Sequence, residues 1–250
     1  MKIFLTGATG YVGSAVAQKL VPSGHKVLGL ARSAEAETKL RQYGIEPHRG
    51  DLSDLPSIEQ GVRKADAVIN AAGSQPRVEL GQGVIATAYD LNDFSWKNDF
   101  SKMVETERNT VSAILNALEG SGKPFIFTSG SFVVGDLSSG DTNEVVYDEE
   151  MPFVPPSFMA GRVEIEKLVQ AATYSSIRSV VLRPGMVFGH KGGWQFSTFS
   201  NEQEDGKPSL TSARERTSGP RYMLMTLQTS TFLLWNRVLL AHYSMLPAQR

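Results

Sequence analysis

The chain has 250 residues, 41% hydrophobic and 20% charged, with a formal net charge of −1 at pH 7. That is the profile of an ordinary globular protein of one or two domains, with no electrostatic basis for binding nucleic acid or an anionic membrane surface. The absence of cysteine excludes disulfides, thiolate catalysis and cysteine-ligated metal, and the four histidines, none paired with another at helical spacing, argue against a metal site.

Lys2-Ile3-Phe4-Leu5-Thr6 is an apolar strand that runs into Gly7-Ala8-Thr9-Gly10-Tyr11-Val12-Gly13, and a helix-compatible segment from Ser14 to Leu20 follows at once. Met1-Lys2 leads straight into that strand, which leaves no room for a cleaved signal segment. No apolar run approaches the ~20 residues of a membrane span, so the expected compartment is the cytoplasm. The glycine turn reads as an anion cradle. Gly7 permits the tight turn, Gly10 lets backbone approach a pyrophosphate, and Gly13 lets helix and strand pack closely. Tyr11 and Val12 lie in the same turn and join the candidate cofactor contacts. A bare glycine triplet is a weak signal, but one placed between a strand and a helix is a strong one.

Pro22-Ser23-Gly24-His25 ends the helix, and Lys26 to Ala31 is a second strand, completing a β-α-β unit. An acidic residue at this strand tip would bind the adenosine ribose, whereas arginine accommodates a 2′-phosphate. The sequence here is Ala31-Arg32-Ser33, so Arg32 and Ser33 favour NADP(H), with NAD(H) still open; the plainer use of Arg32 is as a solvated loop residue. Ile45 to Arg49 is the third strand. In Gly50-Asp51-Leu52, Asp51 can accept from the adenine amino group while Leu52 packs on the ring, or else Asp51 or Ser53 caps a helix beginning near Pro56. Ala67 to Gly73 is the fourth strand, and Asn70, Ala71 and Ala72 at its end would border the dinucleotide. Four strands with intervening helices predict an α/β fold with a doubly wound parallel sheet.

Ser74 to Asn98 is long and weakly patterned, and loops of this length are usually functional or disordered; it is read as part of a substrate pocket. A helix from Ser101 to Leu118, a fifth strand from Phe125 into Ser129-Gly130-Ser131, a polar loop to Pro156, a helix from Phe158 to Ala172 and a sixth strand from Ser179 to Pro184 complete the order. Pro184 is a further candidate cofactor contact.

Thr6-Gly7-x-x-Gly10-x-x-Gly13, Gly50-Asp51-Leu52, Asn70-Ala71-Ala72-Gly73, Thr128-Ser129-Gly130, and Leu182-Arg183-Pro184-Gly185 leading to Val187-Phe188-Gly189 occur together in this order. With these marks the chain, from about Met1 to Ser209, resembles the short-chain dehydrogenase/reductase superfamily, in its extended or atypical branch of NAD-dependent epimerase/dehydratase-like proteins. The resemblance implies a Rossmann sheet, a bound NAD(P) and hydride chemistry at a carbonyl or alcohol. It also implies a catalytic tyrosine, a lysine four residues later, and a serine or threonine after the fifth strand.

Those catalytic positions depart from the pattern. Phe158 stands at the tyrosine and has no ionisable proton. Arg162 stands at the lysine; it keeps a positive charge that could meet the nicotinamide ribose but exchanges no proton near neutrality. The serine position falls on Gly130, flanked by Ser129 and Ser131. Tyr174-x-x-x-Arg178 is rejected as a replacement, because it lies at the helix end leading into the sixth strand. Ser129, Arg162 and Tyr89 form the candidate catalytic set, with Asp90 and His190 as further proton donors. Each also has a plain structural reading: Ser129 as a turn cap, Tyr89 as a packing aromatic, Asp90 and His190 as surface groups.

After Leu210 the character changes: Thr211 to Pro220 is polar and arginine-rich, and Thr226 to Leu240 is apolar without strand-turn-helix grammar. The resemblance implies a Val-His-Val-Asp-Asp-Leu-Ala segment here. A frame that joins the third base of each codon to the first two of the next permits that segment from Arg221 onward. Most choices use third-base freedom, but Met225-Thr226 forces Asp and Trp235-Asn236 forces Glu. The expected division is therefore an NAD(P)-binding domain over 1–190 and an incomplete substrate region over 191–250, with about 211–250 out of frame; a genuine divergent C-terminal helix is the alternative. The expected function is a cytoplasmic NAD(P)-dependent oxidoreductase acting on a small carbonyl or alcohol. The second hypothesis is a non-catalytic NADP(H) sensor or scaffold, and nucleotide-sugar epimerase or dehydratase chemistry, which needs the missing tyrosine, comes third. The expected partner is a small-molecule substrate, with no nucleic acid, membrane or metal.

Overall fold

Alternation along the strands decides the architecture. In β1 (Lys2–Thr6), Phe4 packs into one apolar cluster while Ile3 and Leu5 pack into another, and all three are fully buried. β5 (Pro124–Thr128) repeats the pattern, with Phe125 and Phe127 on the first side and Ile126 on the second. Strands buried on both faces need helices on both faces, which is the parallel α/β solution.

The computed structural model describes residues 1–73, 78–79, 85–86, 96–134, 148–184, 188–189 and 192–193, without the side chains of 78–79, 85–86, 96–99, 132, 188–189 and 192–193. With β2 (Lys26–Ala31), β3 (Glu46–Arg49), β4 (Ala67–Asn70) and β6 (Arg178–Leu182), the main sheet has six parallel strands in the order β3-β2-β1-β4-β5-β6. α1 (Tyr11–Leu20) and α2 (Ala34–Gln42) cover the Ile3/Leu5 side through Val16, Leu20 and Leu40. α3 (Leu55–Arg63), α4 (Trp96–Leu118) and α5 (Ala160–Ala171) cover the other through Ile58, Ile114 and Ile165. Strand order reverses between β1 and β4, which places the ligand crevice of such sheets at their C-terminal ends. Two short antiparallel ladders, Val78–Glu79 with Ile85–Ala86 and Phe188–Gly189 with Gly192–Gly193, are separate from this sheet.

Several boundaries differ from the sequence reading. α4 begins at Trp96, so residues 96–98 are helix rather than loop, and part of 78–86 is a ladder. α5 begins at Ala160, after a tight 3-10 turn at Ser157–Met159 that carries Phe158. Pro155 and Pro156 account for this, since Pro156 is held extended at φ −52°, ψ 140° and the chain turns helical only afterwards. The α3 cap is neither Asp51 nor Ser53 but Asp54, whose carboxylate accepts the Ser57 N–H at 3.2 Å. β6 stops at Leu182, two residues before Pro184, which has no N–H for a ladder.

Candidate functional site

The turn after β1 is packed against β4 with no space for side chains. Gly7 has φ +74°, and a Cβ on it would lie 2.6 Å from the Ala71 carbonyl oxygen. A Cβ on Gly13 would lie 2.1 Å from the Gly7 carbonyl oxygen, so helix and turn are in backbone contact. Gly10 is different: its φ of −78° suits any residue, and an added Cβ meets only Gly7 O, at 3.1 Å. Gly10 caps α1 with no side-chain hydrogen bond, and the first turn of the helix carries no acidic residue. The first turn of α1 thus has neither a side-chain cap nor an acidic residue, and its positive dipole end suits an anion. Beneath the turn, the Thr6 hydroxyl donates to Asn70 Oδ1, both residues buried, and Ala71 N–H donates to Thr6 O at 3.3 Å, tying the β1 and β4 tips together. Tyr11 opens α1 half exposed, and burial pushes its phenol up, so it stays protonated. Val12 is partly buried against the core. These residues fit a dinucleotide pyrophosphate.

At the β2 tip, Arg32 is exposed. Ser33 caps α2, its Oγ accepting the Ala36 N–H at 3.2 Å. Asp51 closes its own turn: Oδ1 accepts from Ser53 N at 2.7 Å, Ser53 Oγ at 2.6 Å and Asp54 N at 3.1 Å. These hydrogen bonds hold its carboxyl below the ordinary carboxylate range, and the Arg32 charge pushes the same way. Leu52 packs on the core side of that turn, and its carbonyl accepts from Thr110 Oγ1 at 2.8 Å.

The β5 tip holds a group of charges that sequence reading only partly foresaw. Phe158 packs edge-on against Phe100 of α4, centroids 5.8 Å apart. One turn later Arg162 Nη2 donates to Glu107 Oε1 at 3.0 Å and to the Thr128 carbonyl at 3.5 Å. A further turn along α5, the buried Glu166 accepts from Arg183 Nε and from Arg183 Nη2, the latter at 2.6 Å, and Arg183 lies 5.0 Å from the centre of the Phe153 ring. Glu107 is 4% exposed. Burial pushes its carboxyl up from the ordinary range; the charge and hydrogen bond of Arg162 oppose this, and the charge of Glu166 adds to it. Of six buried side-chain polar atoms with no hydrogen-bond partner among the described residues, four lie here, Glu107 Oε2, Arg162 Nε, Thr128 Oγ1 and Ser129 Oγ, while His25 Nδ1 and Ser179 Oγ lie elsewhere. Buried unpaired polar atoms are rare in folded proteins, and their convergence on one strand tip argues for a polar ligand or water there. Ser129 N–H and Ser131 N–H donate to Leu182 O at 2.7 Å and Pro184 O at 2.9 Å, tying the tips of β5 and β6. A Cβ on Gly130 would meet nothing within 4 Å, so no packing demands glycine there.

Arg162 and Ser129 are thus brought to one strand tip. Tyr174 is 93% exposed, and Arg178 donates to Gly122 O at 2.7 Å at the opposite end of β6, which supports their rejection. Tyr89, Asp90, His190 and residues 194–250 lie outside the described residues. Glu107 was missed; its signal was a carboxylate on the buried α4 stripe of Met103, Thr110, Val111, Ile114 and Leu118. Among the described residues no cluster of three metal-ligating side chains occurs, and no helix is long and apolar enough to cross a membrane.

A glycine turn at the switch point of a 3-2-1-4-5-6 parallel sheet defines a dinucleotide-binding protein of the Rossmann class. The model of the NAD-dependent epimerase/dehydratase family matches residues 3–203, and the chain belongs to this family. An uncharacterized Saccharomyces cerevisiae protein, YLL056C, is 39% identical over 135 residues, 52% of this chain and 38% of the relative. The 2-alkyl-3-oxoalkanoate reductase of Stenotrophomonas maltophilia is 29% identical over 193 residues, 76% of this chain and 52% of the relative. The chain spans about half the length or less of the curated relatives it matches. Among solved structures, a short-chain type dehydrogenase/reductase from Mycobacterium ulcerans aligns with TM-score 0.64 at 13% identity, covering 97% of this chain and 84% of that one. A UDP-glucose 4-epimerase from Thermotoga maritima aligns with TM-score 0.60 at 17% identity, covering 83% and 64%. These two share the fold.

Proposed function

We propose that the chain is an NADP(H)-preferring oxidoreductase of the atypical short-chain type, reducing a small aldehyde or ketone or oxidising the corresponding alcohol. One observation carries it: the β5 tip, beside the dinucleotide crevice, gathers unpartnered buried polar atoms around Arg162 and Ser129. When bound, the cofactor supplies or accepts a hydride. Gly7, Gly10 and Gly13 would hold its pyrophosphate, with Tyr11 and Val12 beside it. Arg32 and Ser33 would meet a 2′-phosphate, Asp51 and Leu52 the adenine, and Asn70, Ala71, Ala72 and Pro184 the rest of the dinucleotide. The β2 tip carries no carboxylate, which supports NADP(H) over NAD(H). Arg162 would orient a carbonyl oxygen or the ribose through its guanidinium, and Ser129 would add a hydroxyl donor. The name of the S. maltophilia relative, an oxoalkanoate reductase, agrees with carbonyl reduction.

Phe158 favours a second reading, a non-catalytic NADP(H) sensor, because its ring packs on Phe100 and has no proton to give. Titration with NADPH and NADH, followed by NADPH oxidation with a panel of aldehydes and ketones, separates the two. Tighter NADPH binding and steady oxidation with one carbonyl are expected. Tight binding without turnover across the panel would move the assignment to the sensor, and no binding of either cofactor would sink both.

A further inference from the structure

We propose that Glu107 and Arg162 form one proton-holding unit that responds to the charge of the nicotinamide ring, with Glu107 as its positioning residue. The inference rests on the dinucleotide reading above and concerns what these two side chains do at that site.

Glu107 lies on the core-facing stripe of α4, where a carboxylate is costly unless it is paired. It is paired through one oxygen only: Oε1 accepts from Arg162, while Oε2 is buried and unpartnered among the described residues. Among the described residues, the charged groups that bear on it are Arg162 and Glu166, both on α5. Arg183 pairs with Glu166 through its hydrogen bonds, yet the Glu166 charge still favours the protonated form of Glu107, and among the described residues α3, which also packs on α4, adds no charge that shifts it. The net charge of the Glu107–Arg162 unit is therefore set by one proton. It is neutral with the carboxylate ionised and carries one positive charge with the carboxyl protonated. Arg162 cannot make this change, because guanidinium stays charged in proteins.

The unit touches the carbonyl of Thr128, the last residue of β5, at the sheet edge where doubly wound folds hold dinucleotides. The oxidised nicotinamide ring is a cation and the reduced ring is neutral. A positively charged unit repels the first and is indifferent to the second. Binding of the oxidised form therefore selects ionised Glu107 and expels its proton to solvent, whereas binding of the reduced form leaves it in place. Burial keeps that proton bound at pH values where an exposed carboxyl has already lost it, so the linkage falls above the usual carboxylate range. In the direction of reduction the same coupling frees a proton at the site as the ring becomes cationic, a task that Phe158 cannot perform.

Calorimetric titration of the full chain with NADP+ and with NADPH, in two buffers of different ionisation heat between about pH 5 and 7, reads the proton directly. Proton release with NADP+ and little with NADPH is expected, with NADP+ affinity falling up to about tenfold per pH unit below the Glu107 titration. Glu107→Gln should abolish both the release and the pH slope while circular dichroism stays native. Equal release by the two cofactor forms, or release retained in Glu107→Gln, overturns the inference. Should the variant not fold, the wild-type comparison of the two forms decides alone. If the wild type binds neither cofactor, the dinucleotide reading falls with it; if it binds both with no difference in protons, only this inference falls.

Discussion

Glu107 puts a charge where a helix normally presents apolar side chains to a core, and its energetics follow from what it touches. Glu107→Ala strands the Arg162 guanidinium in a buried site, so a loss of about 3–5 kcal/mol in urea denaturation is expected. Glu107→Gln keeps an amide oxygen for Arg162 and should cost much less. The pH dependence has a definite sign. The carboxyl is raised in the folded state, so above the ordinary carboxyl range the folded chain still holds a proton that the unfolded chain has released. Stability from this group is present at low pH and lost as pH climbs through the folded value. The stability difference between wild type and Glu107→Gln should therefore drift against the wild type as pH rises across that window, and a flat difference would contradict it. Phe158, Arg162 and Gly130 could be singled out in the sequence by counting along a motif, because a motif is local. Glu107 was not, because its partner lies 55 residues away and only the packing of α4 on α5 joins them.

At the scale of elements, the turn between β1 and α1 separates folding from binding. Gly13→Ala drives a Cβ to 2.1 Å from backbone oxygen and should cost several kcal/mol or prevent folding. Gly10→Ala has an allowed φ and a single contact at 3.1 Å, so thermal unfolding of the free protein should change little. Its methyl occupies the approach to the α1 N-terminus, so the stabilisation of about 2.7 kcal/mol expected from cofactor at 100 times its Kd should disappear. Retained cofactor stabilisation in Gly10→Ala would count against this turn as the pyrophosphate cradle. Past α5, Ser176 holds a left-handed conformation at φ 57°, ψ 31°, where glycine pays no Cβ penalty. Ser176→Gly should stabilise by about 1 kcal/mol in urea titrations, offset in part by greater freedom of the unfolded chain. The order of strands and helices was readable because apolar runs and glycine punctuation repeat along the chain. Caps and tight turns were less so: Asp51, Ser53 and Asp54 are equally good cap chemistries within four residues, and only the geometry of the entering chain chooses Asp54.

For the molecule as a whole, the last strand of the main sheet among the described residues ends at Leu182, while the family match continues to residue 203. The change in composition at Thr211 lies beyond that match. We propose that the polypeptide leaves its reading frame between Leu210 and Ser218. The next codons, read one frame over, permit Trp-Pro from Ser218-Gly219-Pro220 and then Val-His-Val-Asp-Asp-Leu-Ala from Arg221 onward. Two of the shifted residues allow no choice: the Met225 codon ends in G and Thr226 begins AC, giving Asp, and Trp235-Asn236 likewise gives Glu. The remaining positions depend on third bases that the protein sequence does not carry, which makes them the test. Sequencing the transcript from the codon of Ser209 to that of Arg237 should find G at the third base of Arg221 and of Leu224, spelling Val and Asp. Any other base at those two codons removes the shifted segment and leaves the tail as a genuine divergent element. With the shift found, a chain with the frame corrected should gain soluble yield, because the apolar run from Thr226 to Leu240 would give way to a segment with alternating acidic and apolar residues that can close a substrate region. Cofactor binding should be alike in the two chains, since the glycine turn, the β4 end and the β5 tip all precede the change of frame.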